Sequence, residues 1–124
     1  LLNSTSPAVI AWNGSTEAAA ALRMAVPLLH DRPVILLRVD QADGLFADKE
    51  ALAYLSRHRI HAEARIEQRG VETVEEGILR IAQSLGAGLL VMGAFGHSRL
   101  RQTLFGGVTK FMLREARLPL LLGH

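Results

Sequence analysis

Four runs of nearly uninterrupted apolar residues, set between stretches of helical spacing, constrain this chain more than any other feature. They are Ala8-Val9-Ile10-Ala11-Trp12, Pro33-Val34-Ile35-Leu36-Leu37-Arg38-Val39, Leu89-Leu90-Val91-Met92 and Leu118-Pro119-Leu120-Leu121-Leu122. Short runs of this kind read as strands buried on both faces. A fifth segment, Ala62 to Gln68, alternates Ala62, Ala64 and Ile66 with Glu63, Arg65 and Glu67. It predicts a half-exposed strand at a sheet edge.

The intervening stretches are helical. From Ala18 to Leu29 apolar residues fall at Ala18, Ala21, Leu22, Ala25 and Leu29, with Ser15 or Thr16 to cap the start and Glu17 in the first turn. Pro27 predicts a kink or an early end. A loop is expected over Asp40–Phe46 and a second helix over Asp48–His58, with Leu52 and Leu55 inward. Thr73 caps a third, whose apolar face carries Val74, Ile78, Leu79 and Ala82, and Gly86-Ala87-Gly88 ends it. Gly93 to Phe105 reads as a long loop and Gly106 to Glu115 as a fourth helix. The order βαβαβαβαβ predicts a mainly parallel five-stranded sheet, doubly wound, with helices on both faces. Ligands in such folds bind beyond the carboxyl ends of the strands where strand order reverses, so the loops after strands 1, 2 and 4 are the ones to examine.

Composition narrows the function classes. With 124 residues the expectation is one domain, 1–124. The absence of Cys excludes a disulfide scaffold, a thiol nucleophile and a Cys-ligated metal. No apolar run approaches the length of a membrane span, and no secretory pattern opens the chain, so a reducing cytoplasm is the expected location. Fourteen basic against twelve acidic residues leave only +2, and aromatics are 5% and scattered. That is a poor match to a nucleic-acid surface, which combines a larger basic excess with stacking aromatics.

The strongest local signal follows strand 4. Gly93 and Gly96 are separated by two residues, Gly96 and Gly106 by nine, and Gly106-Gly107 open a helix. Glycines let the backbone approach a phosphate, and a helix start offers free N–H groups and a positive dipole end. Ser98, Thr109, Arg99 and Arg101 would add hydroxyl and cationic contacts. A strand–helix connection that needs glycine only for tight turns explains the same residues. The segment is not a P-loop, since GxxxxGK[ST] is absent, and no GxGxxG follows strand 1.

This G-x2-G-x9-G arrangement, with Gly106-Gly107-Val108-Thr109 opening the next helix, resembles the universal stress protein (UspA-like) family. Val9-Ile10-Ala11-Trp12-Asn13-Gly14-Ser15 is similar to that family's first strand and turn, and the other strands match in turn, over essentially the whole chain. The resemblance implies a three-layer α/β/α fold of the adenine nucleotide alpha hydrolase-like class, strand order 3-2-1-4-5. It implies ATP, with Mg²⁺, as ligand, in a signalling or stress-response role. Ala11, Trp12 and Asn13 then lie where the first loop meets the nucleotide, and Val39 where backbone groups read adenine. Met92, Gly93 and Gly96 would surround ribose and phosphate, with His97, Ser98 and Arg99 in support. Gly106, Gly107, Val108 and Thr109 would hold the phosphates. The last strand (Leu118, Leu120, Leu122) would be an apolar edge, which in this family pairs with a second copy or a tandem domain. A chain that opens on Leu1 rather than Met suits the tandem case.

Two positions depart from the family pattern. Gly107 stands where Ser or Thr usually offers phosphate a hydroxyl, and Asn13 where Asp is common. A hydrogen bond to a charged group is worth about 1.5–3 kcal/mol, so losing the hydroxyl weakens binding roughly ten- to a hundredfold. The alternative is therefore a dimerisation or regulatory module that has lost tight ATP binding. A third class, ATP pyrophosphatases, carries an SGGxDS-like loop where this chain has Asn13-Gly14-Ser15-Thr16. No catalytic residue is assigned, and slow ATP hydrolysis is the most to be expected. His58 and His61 read as a surface pair without a third ligand, Asp40 as a loop residue, and Ser15 has no His–acid partner. Glu72, Glu75 and Glu76 suit the start of helix 3. Trp12 either lines the site or fills the end of the core.

Overall fold

The computed structural model describes residues 5–39, 45–68, 71–93 and 107–123, with the backbone alone at 45–47 and 107–110. Its strands are β1 (Ala8–Ala11), β2 (Val34–Val39), β3 (Ala62–Glu67), β4 (Leu89–Gly93) and β5 (Leu120–Gly123). Its helices are α1 (Thr16–Ala25), α2 (Leu45–Arg57), α3 (Val74–Ser84) and α4 (Gly107–Glu115). The sheet order is β3-β2-β1-β4-β5 with every neighbouring pair parallel. Ala8 stands opposite Val34 on one side and Leu89 on the other, so β1 lies at the centre.

Strand alternation sorts the core into two layers. Ala8, Ile10 and Trp12, with Val34, Leu36, Leu89 and Val91, face α1 and α2. Val9 and Ala11, with Leu37, Val39, Leu90 and Met92, face α3 and α4. Because both faces of β1 and β4 are covered, their sequences carry no polar alternation. β1 to β3 are joined by α1 and α2 on one face, whereas α3 and α4 carry the chain back across the other. Strand order therefore reverses between β1 and β4.

Helix boundaries differ from the sequence expectation in instructive ways. α1 starts at Thr16, because the Ser15 hydroxyl accepts from the Ala18 N–H at 3.1 Å and caps it. It ends at Ala25 rather than Leu29, since Pro27 lacks an N–H and its ring clashes with the preceding turn. The chain continues as one 3₁₀ turn, Val26–Leu28, and Leu29 stays buried. α2 begins at Leu45, so Leu45 and Phe46 belong to the helix and not to the expected loop. The run Leu-Phe-Ala-Asp-Lys-Glu after Gly44 holds no breaker, which accounts for the early start. β5 begins at Leu120, so Leu118 lies outside the edge strand to which it was assigned. Pro119 cannot donate to the ladder, although its carbonyl accepts from Leu90 N at 3.0 Å.

α3 carries a complete capping box. The Thr73 hydroxyl accepts from Glu76 N at 3.2 Å, and the Glu76 carboxylate accepts from Thr73 N at 2.9 Å. Thr73→Ala is expected to lower stability by about 1 kcal/mol, read as a lower urea midpoint at unchanged slope. Beside it the Arg80 guanidinium hydrogen-bonds Glu72 and holds that carboxyl below its ordinary range.

β3 is an edge strand, as its alternation predicts, but its apolar face is only partly covered. Ala62 packs against the α1–α2 layer, whereas Ala64 is exposed and Ile66 is 44% exposed. No helix among the described residues is long and apolar enough to cross a membrane.

Candidate functional site

The carboxyl ends of β2, β1 and β4 lie side by side, and the reversal between β1 and β4 is where a doubly wound sheet opens a crevice. Ala11, Trp12 and Asn13 leave β1 there, Val39 ends β2, and Met92 and Gly93 end β4. β5 runs parallel to β4, so the intervening α4 starts at the same edge, with Gly107 as its first residue. Six of the sequence-assigned residues thus meet at one edge, and Gly107, Val108 and Thr109 form the helix turn that starts there. Gly96, His97, Ser98, Arg99 and Gly106 lie outside the described residues.

The local chemistry of this edge is mostly that of backbone. Ala11, Val39 and Met92 are buried, Gly93 is half-buried and Asn13 is exposed. The Asn13 side-chain oxygen accepts from Ser15 N at 3.0 Å, an Asx turn that Gly14 completes at φ +78°. Asp in place of Asn would supply the same acceptor. Asn therefore keeps the loop while removing a negative charge and leaving an amide N–H₂ as an outward donor.

Gly93 has a packing reason as well as a site reason. A Cβ built there would lie 2.7 Å from Ala18 N and from the Glu17 carbonyl carbon. The first turn of α1 crosses the end of β4 that closely. The tight-turn and ligand-approach readings of this glycine are thus joined by a third, close helix–strand contact.

Trp12 is placed differently from a simple site residue. Its N–H donates to Leu37 O at 2.8 Å and holds the strand end, while its side chain turns into the α1–α2 layer. The indole Nε1 is buried without a hydrogen-bond partner among the described residues.

One neighbouring feature was missed in the sequence. Arg38, buried in β2 next to Val39, makes a forked ion pair with Asp48 in the first turn of α2. Its Nη2 lies 2.7 Å and its Nε 3.0 Å from Asp48 Oδ1. The signal was present: Arg38 is the lone charge in an otherwise apolar strand, and such a residue needs a carboxylate. Among the described residues no cluster of His, Asp and Glu could hold a metal.

The sequence pattern of the universal stress protein family matches residues 6–123, and the chain belongs to that family. The universal stress protein Slr1230 of Synechocystis is 31% identical over 91% of this chain, which spans 40% of that relative's length. The fold is shared with a universal stress protein solved in complex with cAMP, at TM-score 0.76 and 17% identity, covering 98% of this chain and 99% of that one. It is likewise shared with a universal stress protein from Archaeoglobus fulgidus solved with dAMP, at TM-score 0.71 and 20% identity, covering 98% and 100%.

Proposed function

We propose that this chain binds an adenine nucleotide, ATP with Mg²⁺, across the carboxyl ends of β1, β2 and β4 and serves as a nucleotide-responsive signalling domain. The observation that carries this reading is the convergence of Ala11–Asn13, Val39, Met92–Gly93 and the start of α4 on the crevice where strand order reverses. Backbone groups at the ends of β1 and β2 suit the neutral edge of adenine. The first N–H groups of α4 have no partner within the helix and suit phosphate oxygens. His97, Ser98 and Arg99, which fall in the sequence between Gly93 and Gly106, would add polar and cationic contacts. The two relatives solved with cAMP and dAMP carry adenine nucleotides, which supports the ligand class.

A second reading rests on Gly107, where the family's phosphate-facing hydroxyl is missing, and on the outer edge of β5, which pairs with no further strand among the described residues and where Leu120, Leu121 and Leu122 are only half-buried. Here the domain pairs through β5 with a second copy or a tandem domain, and tight nucleotide binding is lost. Calorimetric titration with Mg·ATP separates the two. On the first reading the native chain binds, and Gly107→Ser tightens binding by about ten- to a hundredfold. Heat from the serine variant alone favours the second reading. Silence from both contradicts the nucleotide site.

A further inference from the structure

A pocket of about 410 Å³ lies between α1 and α2, on the opposite face of the sheet from α4. That volume is within the usual range for small-molecule sites. Ala19, Leu22, Ala51 and Tyr54 supply mainly apolar walls, and Trp12 joins them from the core. Arg23 and Arg57 reach it from the two helices, with Glu50 as the one acidic neighbour. Among the described residues neither arginine has a carboxylate partner. Arg57 sits 6.0 Å over the Tyr54 ring, which orients it without neutralising it.

Two features select a ligand. Two guanidiniums against one carboxylate favour an anion, and their planar forks match a carboxylate in particular. Glu50 and the apolar walls disfavour a multiply charged phosphate. Trp12 also lines the cleft, and its indole N–H, closed to solvent and without an acceptor among the described residues, reports on the packing there. We propose that the α1–α2 cleft is a second ligand site, next to the nucleotide edge and sharing Trp12 with it, that takes a small monocarboxylate with an apolar tail. The inference stands independently of the nucleotide reading, because neither arginine belongs to that edge.

Trp12 is the only tryptophan, so the protein gives a single indole N–H resonance. Octanoate and its uncharged counterpart octanamide, each kept below its aggregation threshold, are titrated into the full chain while that resonance is followed. Octanoate is expected to shift it saturably, with octanamide at least about tenfold weaker. The double variant Arg23→Gln/Arg57→Gln, two exposed positions, is expected to weaken octanoate by about tenfold or more while its response to Mg·ATP stays unchanged. No shift with octanoate, equal response to acid and amide, or undiminished affinity in the double variant would each overturn the proposal. The acid–amide comparison needs only the native chain, so it decides even if the double variant folds poorly.

Discussion

Asp48→Ala is expected to destabilise the protein by about 3–5 kcal/mol, because it strips a buried guanidinium of its carboxylate. Arg38 is 4% exposed and Asp48 5%, so water cannot take the carboxylate's place. The pair joins the first turn of α2 to β2 one residue before Val39, so the loss falls next to the candidate site. Arg38→Met/Asp48→Leu, which removes both charges and keeps apolar volume, is expected to recover most of the stability. Urea midpoints at constant slope measure both. A loss below about 1 kcal/mol in Asp48→Ala, the size of an exposed pair, would show that the pair is solvated.

Gly93→Ala is the second large effect. The added methyl meets backbone atoms of Glu17 and Ala18, and neither can rotate away as a side-chain tip would. Relief requires α1 to move off the sheet, and overpacking of this kind costs about 1–3 kcal/mol. Ala18, Ala21, Leu22 and Ala25 hold α1 against the strands, so the cost belongs at the upper end of that range. The loss is expected in the ligand-free protein. A Gly93→Ala chain of unchanged stability but lost nucleotide binding would assign this glycine to the ligand alone.

The strands were readable because burial on both faces imposes a simple pattern, whereas their order in the sheet was implied by the family resemblance. Val9-Ile10-Ala11 and Leu89-Leu90-Val91 have nowhere to place a charge. Helix ends were less readable, since several signals compete at each. Ser15 and Thr16 are both competent caps, and only the hydrogen bond to Ala18 N decides between them. Likewise, the apolar spacing through Leu29 persists beyond the end of α1 because a 3₁₀ turn keeps Leu29 inward. Within the site, local sequence pointed to the loops after strands 1, 2 and 4 and to Gly93, whereas Asn13 and Val39 were assigned by family resemblance. It could not show that the Trp12 side chain turns toward α2, because the partners Ala51 and Tyr54 lie far along the chain. Arg38 and Asp48 are ten residues apart, and only the fold brings them together.

The most direct test of the nucleotide site is an amide-resonance map of the protein during titration with Mg·ATP. Saturable shifts are expected, centred on Ala11, Trp12, Asn13, Val39, Gly93 and the first turn of α4 from Gly107 to Thr109, with the β3 edge unmoved. Absence of any shift, or shifts confined to α2 or to β3, would contradict that site.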